Sequence, residues 1–278
     1  MSQIEFAKDK DGNVIQTTLD KITFATNTED DMRLEHIKSS IRRQLPQAQP
    51  HEEQDQIIAI VCGGPSLKET FDDLKEKYDN GMKVVSLNGT HDWLMERGIR
   101  PSVHIQLDAR QFNSRFVKNW HKDTKYYIAA QSHPDVFDAL DGANTTLFHC
   151  YTNKKELKLT SEYYMGHFVP IMGGTTVTLR AIPLMKMLGF RKMEIFGFDS
   201  CCIGDEHHSY IQEENNIGTS TTIELDGEEF FCYGWMYKQA TDFIEMVSKI
   251  GDEFELLVHG NGLIAHILKT GAARLEEK

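Results

Sequence analysis

From residue 56 onward, short apolar runs of strand length alternate with stretches of helical character, and this alternation constrains the fold more than any other feature. The runs fall at 57–62, 84–87, 103–107, 126–130, 146–149, 193–198 and 254–258; helices are expected near 67–78, 89–97, 111–120, 134–140, 175–188, 235–249 and 263–269. Strands that are apolar throughout are buried on both faces. They imply an α/β fold with a parallel or mostly parallel sheet and helices on both faces. In such sheets ligands bind beyond the carboxyl ends of the strands, so the residues that follow each run carry the functional weight.

The first fifty residues differ. Residues 3–8 and 14–18 flank Lys-Asp-Lys-Asp-Gly, which is hairpin chemistry. Residues 29–44 read as a charged helix with Thr28 as N-cap, Asp30 and Asp31 at its positive end, and Arg42 and Arg43 near its other end. Residues 45–55 are polar with two prolines and read as a linker. The expected organisation is a small hairpin-plus-helix appendage with linker over 1–50 and the main domain over 51–278, long enough to form its core without disulfide or metal staples.

Thirty basic against forty-two acidic residues leave a net charge of −12, which argues against general binding of nucleic acid or anionic membrane. No run of about 18 apolar residues suggests a membrane span. The five cysteines include no CxxC, and the first residues lack the basic-then-apolar layout of a secretion leader. Reduced thiols in a cytoplasmic setting are expected, and a homo-oligomer is left open.

After the first core run comes Cys62-Gly63-Gly64-Pro65-Ser66-Leu67-Lys68-Glu69. Two glycines let backbone approach a ligand, and Pro65-Ser66 open a helix whose free N–H groups can hold a phosphate. Ser66 and Glu69 equally fit a capping box, in which Ser66 only caps. Asn88-Gly89 ends the second run and Asp108 the third. Asn88 can read a base or sugar edge or serve a turn; Asp108 can bind a metal or a ribose hydroxyl, or cap a helix. Gly173-Gly174-Thr175-Thr176 opens another helix and offers a second anion position. That helix packs Val177, Ala181, Leu184, Met185 and Leu188 on the sheet, with a kink expected at Pro183.

The sixth run ends at Gly197-Phe198-Asp199-Ser200, and Gly204-Asp205-Glu206-His207-His208-Ser209-Tyr210 follows. Two histidines beside two acids suit proton transfer or a Mg²⁺-linked acid, and suit a solvated polar loop equally; the spacing is poor for zinc. Near the end, His259-Gly260-Asn261-Gly262 makes a third strand–glycine–helix junction, with a helix stop at Gly271. In the helix before it, Met236, Ala240, Phe243 and Val247 form a core stripe, which leaves Trp235 and Tyr237 as pocket candidates.

Residues 57–67 (IIAIVCGGPSL), Asn88-Gly89, Asp108, residues 173–200 and the late HGNG together resemble the MptE-like family, named for an archaeal 6-hydroxymethylpterin diphosphokinase, over roughly residues 45–270. The layout is also similar to bacterial sialyltransferases and flagellin glycosyltransferase accessory proteins. The pairing of the histidine loop with HGNGLIAHI is similar to small proteins of tailed phages, which implies a phage-infected host as one setting. The resemblance implies a Rossmann-like nucleotide site. In it Gly63, Gly64, Pro65 and Ser66 match the phosphate loop, Asn88 and Asp108 match positions facing the nucleoside, and Gly174 and Thr175 match the second helix opening, with Gly89, Gly173 and Thr176 beside them as further expected nucleotide contacts. It implies a nucleotide-dependent transferase, diphosphokinase-like first, with glycosyl transfer from a nucleotide sugar and a non-catalytic nucleotide-binding or assembly protein as alternatives. The partners implied are a nucleotide or nucleotide sugar and a small-molecule or glycan acceptor. Mg²⁺ is expected, with Asp108, Asp199 or Asp205 as ligands, and His207, His208 and Asp199 as catalytic groups. Two departures stand out: Cys62-Gly63-Gly64 replaces a Gly-Asn-Gly loop, and Tyr233-Gly234-Trp235 occupies the place of the sialyltransferase base, so His207 or His208 would substitute.

Overall fold

The computed structural model describes residues 27–212, 214 and 220–271; the hairpin expected over residues 3–18 lies outside them. Seven strands form one sheet: β1 (Gln54–Val61), β2 (Lys83–Leu87), β3 (Val103–Gln106), β4 (Lys125–Ala129), β5 (Asn144–Phe148), β6 (Phe190–Phe196) and β9 (Glu255–Val258). Their order is β5-β4-β3-β2-β1-β6-β9 and each neighbouring pair is parallel. The chain walks outward from β1 to β5, then returns to pair β6 with the other side of β1. That reversal makes β1/β6 the topological switch point, where such sheets open a crevice for a ligand. The fold is the Rossmann-like α/β arrangement that the alternation implies.

Strand β1 shows why both faces are covered. Ile58, Ile60 and Cys62 point to the face packed by α6 (Val177–Met187), α7 (Gly234–Ile250) and α8 (Leu263–Thr270), through Leu179, Met185, Phe243 and Ile264. Ala59 and Val61 point to the opposite face, against Leu74 of α2 (Phe71–Asp79) and Trp93 and Leu94 of α3 (Thr90–Met95). The period of two sends each strand's side chains into two separate cores. Along α6, Ala181, Leu184, Met185 and Leu188 are buried as their spacing requires. The helix runs on through Pro183, which cannot donate to the Leu179 carbonyl. Gly173 lies against that carbonyl: a Cβ there would sit 2.1 Å from the Leu179 oxygen.

Several boundaries differ from the sequence reading. The charged helix is α1 (Asp30–Ile41), and Glu29, not Thr28, occupies its N-cap. It rests on α4 (Pro134–Ala139) and α5 (Lys154–Tyr163), with Ile37 and Ile41 packed among Ala130, Leu159 and Tyr164. Part of the expected linker pairs with β5, since Ala48 N–H donates to the Leu147 carbonyl (2.7 Å) and Leu147 N–H to that of Pro46 (2.8 Å). This strap covers an otherwise open sheet edge. The expected helix at 67–78 is a 3₁₀ turn, Pro65–Leu67, followed by α2, and residues 111–120 hold a 3₁₀ helix, Gln111–Val117. An antiparallel hairpin of β7 (Ser220–Leu225) and β8 (Glu228–Tyr233), and helix α5, were not anticipated. Gly271 ends α8 in the left-handed region (φ 73°), as expected of a helix-stopping glycine.

Candidate functional site

Two of the three strand–glycine–helix junctions, Gly63-Gly64-Pro65-Ser66 and His259-Gly260-Asn261-Gly262, close around one carboxylate at the end of β6, that of Asp199. Ser66 donates to Asp199 twice, from its backbone N–H (2.9 Å) and from its hydroxyl (2.5 Å). Gly64 N–H donates to the Gly197 carbonyl (2.8 Å), and a Cβ on Gly64 would lie 2.3 Å from Asp199 Oδ2. The late HGNG turn closes over the pair: a Cβ on Gly260 would lie 2.6 Å from Ser66 Oγ, and one on Gly262 2.6 Å from Asp199 Cα. These glycines are therefore fixed by packing of protein on protein. The Ser66 N–H, which the sequence reading offers to a phosphate, is held by Asp199, and the Ser66 hydroxyl serves that pair instead of a capping box. Ser66 is fully buried, whereas Cys62, Gly63, Gly64 and Pro65 line a cleft. Burial pushes the Asp199 carboxyl up to about 6, and the two donations from Ser66 pull against that rise.

The histidine loop is tied to the same turn. Ser209 donates its N–H to the Gly63 carbonyl (2.9 Å) and its hydroxyl to that of Gly64. Tyr210 then wedges beneath the turn. A Cβ at Gly63 or Gly89 would lie 2.6 or 2.7 Å from its hydroxyl, so these glycines make room for a tyrosine. His208 packs between Tyr210 (ring centroids 5.7 Å apart) and Trp235 (6.1 Å), and His207 sits 4.7 Å from it. Burial, then His207, then Arg110 lower the His208 pKa to about 4, which keeps its imidazole neutral at pH 7. Among the described residues, buried His207 Nε2 and His208 Nδ1 have no hydrogen-bond partner.

Both histidines, Asp199, Asn88, Asp108, Thr175 and Thr176 line the same cleft, of about 520 Å³, at the carboxyl edge of β1, β2, β3 and β6. That volume suits a small organic ligand. Asn88 accepts from Leu107 N–H (3.1 Å), which leaves its amide nitrogen to donate. Asp108 holds Arg110 in a forked pair (3.1 and 2.6 Å). Thr175 donates to Asp242 from its N–H and hydroxyl, both at 3.1 Å, and Gln239 bridges Thr176 (2.7 Å) to Ser200 (2.9 Å). Gly173 and Gly174 stay behind the wall, packed on Leu179 and Asp242. Ser66 and Gly89 also lie behind it, and Asp205 occupies an exposed turn beside Glu206, whose carboxylate pairs with Lys68 (2.6 Å). Trp235 lines the cleft, whereas Tyr237 turns toward Ile223 and Leu225 of the hairpin.

The donor set does not fit a protein-held Mg²⁺. Asp108 is engaged by Arg110, Asp199 by Ser66, and Asp205 stands outside the cleft. Among the described residues no three His, Cys, Asp or Glu side chains gather in a metal-binding group. Arg33, Thr152, Arg110, Gln131, Tyr210, Lys238 and Gln239 also line the cleft, and the sequence reading did not anticipate them as site residues. Arg110 was the most accessible of these, since it follows Asp108 by two residues at a strand end.

Residues 32–205 match the family model of 6-hydroxymethylpterin diphosphokinase MptE-like proteins. The chain belongs to the MptE-like family. Among solved structures it is similar to the MAf glycosyltransferase from Magnetospirillum magneticum AMB-1, with 13% identity and a TM-score of 0.60, over 91% of this chain and 42% of that one. This is a likeness of fold, and the MptE-like chain spans less than half the length of that glycosyltransferase. A mammalian sialyltransferase in complex with Gal-beta-1-3GalNAc-ortho-nitrophenol matches at 12% identity and a TM-score of 0.39, over 84% of this chain and 87% of that one. No curated protein matches the sequence. The resemblance to phage proteins gains no support from these matches.

The Asp199 carboxyl gives the first prediction. Its folded pKa of about 6 stands above the 3.8 of a free aspartate, so between those values the folded state holds a proton that the unfolded state releases. Stability from this group therefore falls as pH rises through about 4 to 6, by on the order of 3 kcal/mol. Asp199→Asn keeps one acceptor for the Ser66 N–H and offers its amide to the hydroxyl. Urea unfolding at pH 4.5 and 7 should show a smaller loss across that interval in the variant than in wild type. Equal losses would mean that Asp199 is not an acid strained by burial.

Proposed function

We propose that this MptE-like protein is a nucleotide-dependent transferase, and that it passes a glycosyl group from a nucleotide sugar to an acceptor hydroxyl. The observation that carries the reading is His208, a neutral imidazole in the wall of a 520 Å³ cleft that opens at the β1/β6 switch point. A neutral imidazole can take the proton of an attacking hydroxyl as the acceptor oxygen bonds to the anomeric carbon and the bond to the leaving phosphate breaks. The donor's phosphate lies along Gly63 and the opening of α6, where Thr176, Val177 and Thr178 line the cleft and no side chain caps the helix. Asn88 and Asp108 face the nucleoside. An anionic donor beside His208 raises that residue's proton affinity and so strengthens the base at the moment it is needed.

The MAf glycosyltransferase shares the fold, and the family's own description favours a second reading, diphosphate transfer. That chemistry depends on neutralising phosphate charge, for which Mg²⁺ would arrive with the triphosphate rather than sit in a protein cage. On either reading residues 51–278 form the transferase unit, and the helix from the 1–50 appendage supplies Arg33 to the cleft wall. All five cysteines are free thiols, which supports a reducing cytoplasmic setting. No helix among the described residues is long and apolar enough to cross a membrane.

A thermal-shift screen of nucleoside mono-, di- and triphosphates and nucleotide sugars, with and without Mg²⁺, tests the proposal. A bound donor raises the melting temperature by mass action. The expected result is a shift with a nucleotide sugar that persists without metal. A shift confined to triphosphate with Mg²⁺ moves the assignment to diphosphate transfer. Binding without turnover across an acceptor panel makes the protein a nucleotide-binding or assembly factor.

A further inference from the structure

A chain of ring contacts leaves the cleft and runs out over the β7–β8 hairpin. Trp235 in the cleft wall lies 6.1 Å from His208, His208 4.7 Å from His207, His207 5.9 Å from Tyr233, and Tyr233 6.1 Å from Phe231. Phe231 is 45% exposed. The period of two along β8 explains the ridge. Phe230 and Cys232 turn inward to the core, so Phe231 and Tyr233 share the outer face. The backbone at Phe231 is fixed from the site side, because Cys202 N–H donates to its carbonyl (2.8 Å). An isolated exposed phenylalanine would need no explanation. One that heads an unbroken file of rings into a cleft presents a surface for a ligand longer than the cleft.

Charge decides which ligand. On the outer face of the hairpin, next to the Thr222–Phe231 pair, the exposed Glu224 stands opposite the exposed Glu229, and residues 220–237 contain no lysine or arginine. An anionic polymer such as a nucleic acid would be repelled along this face. A single flat heterocycle would be satisfied by Trp235 alone and would leave Tyr233 and Phe231 idle. Neutral sugar rings have apolar C–H faces that stack on aromatic rings, and hydroxyl edges that bond to Tyr, His and carboxylate groups.

We propose that Trp235, Tyr233 and Phe231 form an acceptor subsite for a neutral oligosaccharide, which lies along the hairpin and delivers one terminal hydroxyl to the histidine pair. The contact with sugar stands on the ring file and the charge; only its role as acceptor rests on the transferase reading.

Isothermal titration of the full chain with pentasaccharides of glucose, galactose and N-acetylglucosamine, alongside an oligothymidylate, tests the subsite. Trp235 should report binding of one of the sugars through its fluorescence. Phe231→Ala and Tyr233→Ala should each weaken that sugar by roughly three- to tenfold, the scale of one aromatic contact. The thermal shift given by nucleotides, measured on the same proteins, should stay unchanged. If the sugar binds and weakens in the variants while no nucleotide shifts the protein, the subsite stands and the donor assignment fails. If nucleotide sugars bind but the variants keep full affinity for the pentasaccharide, the subsite is wrong and the donor assignment stands. Binding of oligothymidylate in place of every sugar, or of no pentasaccharide at millimolar concentration, also overturns the subsite.

Discussion

His208→Gln should lower the rate of transfer by about 10²- to 10⁴-fold, the usual contribution of a positioned base, with little change in melting temperature. Glutamine fills most of the imidazole's place between Tyr210 and Trp235 but cannot accept a proton. His208→Ala should match its loss of activity and melt lower, because it leaves a hole beside the ring of Trp235. The pH dependence carries the sign. The base works when unprotonated, so activity is lost as pH falls through its pKa, which lies at about 4 in the free protein. A bound anionic donor moves that limb upward. His207 lowers the His208 pKa, so His207→Ala should move the limb further upward while leaving substantial activity. A fully active His208→Gln enzyme would remove the base from the mechanism and shift the assignment to metal-dependent diphosphate transfer.

What the sequence revealed follows from which signals are local. Each apolar strand run corresponds to a strand of the sheet: the inner strands need continuous apolar residues because both their faces are covered, whereas β9, at the edge, keeps alternate residues exposed. The three glycine junctions were visible for the same reason, yet their partners were not. Nothing in Gly-Gly-Pro-Ser states that Asp199, 133 residues away, will take the serine's donors, nor that Tyr210 will fill the space beside Gly63 and Gly89. Glycine marks a close approach without saying whether ligand or protein approaches.

The misses have separate causes. The β7–β8 hairpin carries its own signal, Asp226-Gly227 with both φ positive (51° and 83°) between alternating residues, and that motif was there to be read. Helix α5 is different. The fully buried residues of its inward face are Glu156 and Thr160, with only Leu159 packed beside them on α1, so its hydrophobic period is weak. Only its partner, Arg33 on α1, makes that face intelligible.

Arg33→Ala should cost about 3–5 kcal/mol, the usual penalty for stranding one charge of a buried ion pair. Arg33 is 3% exposed and Glu156 fully buried, with Nε 2.8 Å from Oε1. The guanidinium also donates to the Thr152 hydroxyl (2.8 Å), to Asp30 (2.5 Å) and to the Thr28 carbonyl, so it fastens α1 to the turn that precedes α5. In the variant Glu156 would still accept from Thr152 N–H (2.7 Å) and Asn153 Nδ2 (3.3 Å), which places the cost near the lower end of that range. Replacing both partners together, Arg33→Met with Glu156→Leu, should cost less than either single change. The loss should also be local. Hydrogen exchange should quicken in α1 while β1 and β6 stay protected, and nucleotide binding should weaken because Arg33 and Thr152 line the cleft. An Arg33→Ala protein with wild-type stability and unchanged exchange in α1 would show that the pair does not hold this helix against the sheet domain.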